Sequence, residues 1–272
     1  MRFATTSLLL ITLLFLGLGC HDKVEVQPPP VINLANCRIV KETYKTIYIS
    51  GPKSGYEQLT VAGKKFDVYD WERPEYVYDV KGRIARKVQP GFRASSNSLY
   101  TYSPANLFIA STVTNDGVTS PVRIDTIPLN ARGYDDRYQY DDQGHALFYK
   151  TSSNKEPTRW ENNNKTHYTA NWGEGKVFYV SEFDLTRKAL PTIFAYQGVE
   201  SKNLITSLTI SASGVGFIKD GPVFRINYTY EFDAYGRVKR RIEHDTKYPD
   251  TGWPFGTNPG FIGVYDYEYE CP

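Results

Sequence analysis

Tyr76-Val77-Tyr78-Asp79-Val80-Lys81-Gly82-Arg83 is the stretch on which the fold turns. It returns as Tyr138-Gln139-Tyr140-Asp141-Asp142-Gln143-Gly144-His145, and again, with Phe for the second Tyr, as Tyr230-Glu231-Phe232-Asp233-Ala234-Tyr235-Gly236-Arg237. Side chains alternate across a strand, so the paired aromatics of each copy share one face. Asp79 suits the first position of a type I turn, because its side chain bonds backbone amides just ahead of it. Gly82 follows where the chain needs a positive φ, which glycine reaches without a Cβ clash. A type I turn followed by a left-handed residue is a common hairpin connection. Each copy therefore predicts a β-hairpin, with Asp79 and Gly82, Asp141 and Gly144, and Asp233 and Gly236 as its structural turn residues. Tyr100-Thr101-Tyr102-Ser103 with Asn106 in the glycine position reads as a weaker copy, and Phe183-Asp184 as a decayed one. The copies recur at unequal intervals. A fixed-period solenoid is thereby disfavoured against hairpins punctuating one longer sheet.

Residues 1–19 read as a signal peptide: Arg2 gives a positive start, and Leu8 to Leu18 is almost wholly apolar but too short to span a bilayer. Gly17-Leu18-Gly19-Cys20 resembles the lipobox of bacterial lipoproteins, although Gly17 stands where Leu is usual. That resemblance implies lipidation of Cys20; an ordinary secreted protein cut nearby is the alternative. Residues 20–35 read as the lipidated cysteine and a tether that includes Pro28-Pro29-Pro30, a composition that favours an extended spacer. Residues 36–272 form the β-rich domain. Cys37 and Cys271 bracket it, and an even pair in an exported chain suggests a disulfide joining first strand to last, with two unpaired buried thiols as the alternative.

Aromatics make up 15% of the chain, with 22 Tyr, and helical apolar stripes are absent. Strand-like runs bounded by turn residues dominate, as in Thr112-Val113-Thr114 before Asn115-Asp116-Gly117. The expected fold is all-β: a mostly antiparallel, curved or rolled sheet of successive hairpins, in preference to a two-sheet sandwich. A formal net charge of +2 supplies no electrostatic footprint for nucleic acid.

The Tyr-x-Tyr-Asp-x-x-Gly-Arg pattern resembles the YD repeat of Rhs-type proteins, without their long uniform array. The leader ending in Cys20, the early Cys37-Arg38-Ile39 strand and the scattered hairpins together resemble uncharacterised envelope lipoproteins of Bacteroidota. The resemblance implies a lipid-anchored protein of the bacterial cell envelope, at the outer membrane, and carries no catalytic residue with it.

No motif assembles a catalytic set. His145, His167 and His244 lack metal-ligand spacing, and His145 reads as a solvated hairpin residue. The acidic stretch from Asp135 to Asp142 lacks the order of a calcium loop, so no metal and no cofactor is expected. Trp160, Trp172 and Trp253 lie in polar or loop-like surroundings and are the candidate ligand-binding residues, since loop aromatics stack on sugars or anchor partners. The expected function is a non-catalytic binding or structural role. The expected partners are the membrane, through the lipid anchor, and a glycan or envelope protein. A glycan-directed hydrolase is the alternative, because carboxylate pairs meet in space and not in sequence.

Overall fold

The computed structural model describes residues 36–47, 53–91, 94–153, 155–216, 220–247 and 261–271. The leader, Cys20, the tether and Trp253 lie outside the described residues. The strands are β1 (Arg38–Thr46), β2 (Glu57–Val61), β3 (Lys64–Glu72), β4 (Glu75–Tyr78), β5 (Ile84–Gln89), β6 (Ala94–Tyr102), β7 (Asn106–Asn115), β8 (Val118–Thr119) and β9 (Arg123–Pro128). They continue as β10 (Tyr138–Tyr140), β11 (Ala146–Tyr149), β12 (Arg159–Glu161), β13 (Asn164–Trp172), β14 (Gly175–Lys188), β15 (Asn203–Ser213), β16 (Gly221–Phe232), β17 (Val238–Lys247) and β18 (Ile262–Glu270).

The main sheet has the order β12-β13-β14-β15-β16-β17-β18-β1-β4-β5-β6-β7-β8, with β9 also on β7 and the β2–β3 hairpin on β1. It is antiparallel throughout and built mostly from sequence-adjacent hairpins; β1 also pairs with β3 and β4, β9 with β7, and β18 returns to pair with β1 from Arg38↔Glu270 to Thr46↔Gly263. Cys37 and Cys271, at the start of one strand and the end of the other, form a disulfide.

All three Tyr-Asp copies close the same turn. In the first, the Gly82 amide donates to the Asp79 carbonyl (2.9 Å) and the Asp79 amide to the Arg83 carbonyl (2.8 Å). Asp79 Oδ1 accepts from the amides of Lys81 and Arg83. Gly82, Gly144 and Gly236 have φ of 79°, 92° and 78°. The return strand carries a one-residue bulge in each copy: Val77 and Tyr78 face Arg86 and Ile84, Gln139 and Tyr140 face Phe148 and Ala146, and Glu231 and Phe232 face Arg240 and Val238. The residue after the glycine completes the motif. Arg83 Nε and Arg237 Nε donate to the second oxygen of Asp79 (2.8 Å) and Asp233 (2.6 Å).

A fourth turn of this kind carries Asn in place of Asp. The Gly133 amide donates to the Asn130 carbonyl, Asn130 Oδ1 accepts from the amides of Arg132 and Tyr134, and Gly133 has φ 79°. Two weaker readings are corrected. Asn106 is not left-handed: Ser103 and Asn106 close a tighter turn through the Ser103 amide and hydroxyl, and Asn106 opens β7. Phe183-Asp184 makes no hairpin but lies inside β14, where the ladder to β15 skips from Asp184 to Lys188. The freed carbonyls of Leu185 and Arg187 are met there by Asn203 Nδ2.

The sheet rolls. Ile39, Tyr76, Ile84, Leu107, Ile127, Tyr196, Leu204, Val238 and Tyr267 form one buried cluster, although β7 and β15 stand far apart in the strand order. Residues 189–202 cross the inside of the roll and fill it with Leu190, Ile193, Phe194 and Tyr196. The β10–β11 hairpin bridges the two ends of the sheet. The Asp136 amide donates to the Pro128 carbonyl at the end of β9, and the Thr158 amide, before β12, donates to the Leu147 carbonyl. Outside, the β2–β3 hairpin covers β1 and β18 through Phe66, Val68, Ile262 and Val264. Beside that cluster, Arg240 and Lys45 share the carboxylates of Glu57 and Asp266.

Candidate functional site

The crossing segment leaves part of the roll unfilled. A cavity of about 460 Å³ lies between it and β13–β17. Trp160, Lys165, Tyr168, Glu200, Tyr230 and Arg241 contribute its aromatic and charged walls, and Leu190, Leu204 and Leu208 part of its apolar surface. Each element has a local reason for its place. Asn162 and Asn163 adopt positive φ (51° and 61°) in the two-residue turn between β12 and β13, so Trp160 and Lys165 face each other in register. Asn164, fully buried, exchanges hydrogen bonds with buried Asn203: its Oδ1 accepts from the Asn203 amide at 2.9 Å and its Nδ2 donates to Asn203 Oδ1 at 3.0 Å. The Lys165 amide donates to Ser201 Oγ and the Lys202 amide to the Asn163 carbonyl, which pins the crossing segment to this hairpin and sets Glu200 beside Lys165.

The charges in this wall are partly stripped of water. Burial lowers the pKa of Lys165 and Glu200 opposes it; burial raises that of Glu200 and Lys165 opposes it. No ion pair within 4 Å joins the two among the described residues, and Lys165 Nζ sits instead 4.1 Å from the centre of the Tyr168 ring. Tyr168 stacks on Tyr179 at 4.2 Å and 2°, and burial pushes its hydroxyl up to about 12, so it stays a neutral donor. Arg241 lies over Tyr265 at 4.1 Å and pairs with Glu243 through Nη2 at 3.1 Å. Its buried Nε has no hydrogen-bond partner. Glu42 and Glu243 are both raised by burial, which Arg241 opposes, but neither lines the cavity.

Of the three candidate tryptophans, Trp160 is at the cavity wall. Its indole Nε1 donates to the Ala146 carbonyl at 3.2 Å. Trp172 ends β13 at 38% exposure, away from the cavity. Trp253 falls outside the described residues. His145 is a correction: it is buried, with 3% exposure, because it stacks on Trp160 and its Nδ1 lies 2.8 Å from Asp141 Oδ2. Within the acidic stretch, Asp135 pairs with Arg137 and Asp136 with Lys150, and Asp141 is hydrogen-bonded to His145. The turn residues Asp79, Asp141 and Asp233 are likewise engaged within their own hairpins. Lys165, Glu200 and Arg241 carried no sequence signal, since none stands in a motif and their convergence depends on how the sheet rolls.

No family model matches this chain, and no curated protein matches it. Among solved structures, a porin-like protein from Bacteroides uniformis is similar with a TM-score of 0.45 at 11% identity, over 85% of this chain and 98% of that one. A porin-like protein from Bacteroides vulgatus is similar with a TM-score of 0.27 at 11% identity, over the same shares.

Proposed function

We propose that the protein is a lipid-anchored envelope protein that binds a small saccharide, or a short end of a glycan, in the cavity of the roll. The observation that carries this reading is the wall itself. Aromatic faces at Trp160, Tyr168 and Tyr230 stand beside polar groups at Lys165, Glu200 and Arg241. Sugars present apolar ring faces and a belt of hydroxyls, and that pairing of surfaces suits them. Lys165 stands beside Glu200, and Arg241 is already paired with Glu243 behind the wall, which favours an uncharged polyhydroxylated ligand over a strong anion. A space of about 460 Å³ falls in the ordinary range for small-molecule sites. Among the described residues the cavity wall carries one carboxyl, Glu200, where a two-carboxylate glycosidase needs an opposed pair, and this supports binding over hydrolysis.

The test is a glycan-array screen of the chain, followed by calorimetric titration of any hit against Trp160→Ala and Lys165→Met. At least one saccharide should bind, with affinity lowered about tenfold or more by each substitution. No binding across the array, or binding indifferent to both changes, ends the proposal. Anchoring is tested in cells: Cys20→Ala should move the chain from the membrane fraction to the soluble one.

A further inference from the structure

A second concavity, of about 560 Å³, opens beside the disulfide and is lined by Cys37, Arg187, Lys188, Phe232, Tyr235 and Arg237 among others. It lies at the rim of the roll where the chain enters its first strand. The first and third Tyr-Asp turns flank this point. Arg38, next to Cys37, packs against Gly82, and Arg237 donates through Nη1 to Cys271 Sγ at 2.8 Å.

The charge at this cleft is unbalanced. Asp233 is already consumed by Arg237. Arg187 and Lys188 are exposed and engage in no ion pair among the described residues; Arg187 lies 4.6 Å over the Phe232 ring. The rim also exposes apolar groups without a folding reason to do so: Leu185 is 62%, Tyr235 50% and Phe232 36% exposed. Cations beside exposed aromatic and aliphatic side chains are the composition of a surface that sits at lipid headgroups, where amphipathic rings lie level with the phosphates. The chain outside the described residues points the same way. Cys20, if acylated, lies 17 residues ahead of Cys37, so an anchored chain has a bilayer within about 60 Å of this rim.

We infer that this cleft docks on the membrane, with Arg187 and Lys188 on the phosphates of anionic lipid headgroups and Leu185, Phe232 and Tyr235 in the interface. The inference rests on the anchored reading for its geometry. Its test does not, because it uses the chain from His21 onward, which carries neither the apolar leader nor the acylation site.

In flotation, that protein should rise with vesicles of phosphatidylcholine and phosphatidylglycerol, stay down with phosphatidylcholine alone, and detach as salt is raised. Arg187→Ala with Lys188→Ala should lower the partition constant about 25-fold, roughly fivefold per cation. Arg187→Lys should retain binding, and Phe232→Ser with Tyr235→Ser should weaken it. Near-UV circular dichroism checks that each variant keeps the native fold. Equal recovery with both vesicle types, or no loss in the double alanine variant, overturns the inference. So does full displacement by inorganic phosphate at matched ionic strength, which would make the cleft a free-phosphate site. Should Cys20→Ala fail to release the chain in cells while the vesicle results hold, the anchoring reading alone falls.

Discussion

The imidazole of His145 lies flat against the indole of Trp160, with ring centroids 4.2 Å apart and planes inclined by 13°. In the other two copies an arginine occupies this position, with side chains 37% (Arg83) and 21% (Arg237) exposed against 3% for His145. One motif position thus does two jobs. The more exposed arginines close their turns and lie over tyrosine rings, Arg83 on Tyr102 and Arg237 on Tyr269; in the second copy the residue also backs a wall of the cavity.

Burial should therefore decide the cost of losing it. His145→Ala is expected to cost about 2–3 kcal/mol, since it strands Asp141 and leaves a hole behind Trp160. Arg83→Ala should cost no more than about 1 kcal/mol. Urea denaturation of the two variants checks this, and near-UV circular dichroism should lose a tryptophan band in the histidine variant only. Equal costs would refute the distinction.

The turn glycines separate strain from crowding. Gly236 has φ 78° and open space where a Cβ would stand, whereas a Cβ on Gly144 would meet Tyr134 Cε2 at 2.8 Å and Val199 Cγ2 at 3.2 Å. Gly236→Ala should cost about 1 kcal/mol, the left-handed penalty alone. Gly144→Ala should cost about 3 kcal/mol or more, as overpacking is added. Thermal melts that rank the two in the reverse order would count against the described packing around residue 144.

Acid should unfold the protein through the same turns. Burial alone would lift the carboxyls of Asp79, Asp141 and Asp233. Turn amides and the neighbouring Arg83, His145 and Arg237 outweigh it and hold all three below the ordinary 3.8. A group with a depressed folded pKa contributes stability above its unfolded value and loses it as pH falls through the folded one. Urea midpoints should accordingly drop below about pH 4, and Asn at all three positions should flatten that limb. Glu42, Glu200 and Glu243, raised by burial, act in the opposite sense and withdraw stability as pH rises through their folded values. A midpoint flat through the acid range in the unaltered chain would contradict the first half of this prediction.

The disulfide closes a loop of 234 residues. In the chain-entropy model a loop of that order stabilises by about 5 kcal/mol. Replacing Cys37 and Cys271 by Ser, or adding reductant to the unaltered chain, should lower the urea midpoint to the same value. An unchanged midpoint would show that the bridge contributes nothing.

What was legible in the sequence is what local chemistry dictates. Asp and Gly at fixed offsets define a turn whatever surrounds them, and Tyr76 and Tyr78 show by alternation that they share a buried face. The Asp116-Gly117 turn is similarly readable, and its residues have the positive φ of a hairpin connection. The rolled antiparallel sheet follows from adding such hairpins in order. The turn at Asn130 escaped because Ile127 and Leu129 replace the paired tyrosines ahead of it. Residues 189–202 escaped because Leu190, Ile193, Phe194 and Tyr196 fill the interior with neither helical nor strand spacing. The cavity could not be read at all: Lys165, Glu200 and Arg241 meet only once strands distant in sequence are rolled around that segment.

The pairing of β18 with β1 makes the order of arrival matter. The strand that enters last occupies an inner position, with β17 on one side and β1 on the other. Until it emerges, β1 exposes an open flank, and β1–β9 and β12–β17 share no strand ladder among the described residues and meet through the β10–β11 hairpin and the shared core. A truncation beginning at Phe261 would not trim an edge; it would open the sheet in its interior, between β17 and β1. Chain synthesis and folding are thereby coupled: the sheet reaches its final form only when β18 has been made.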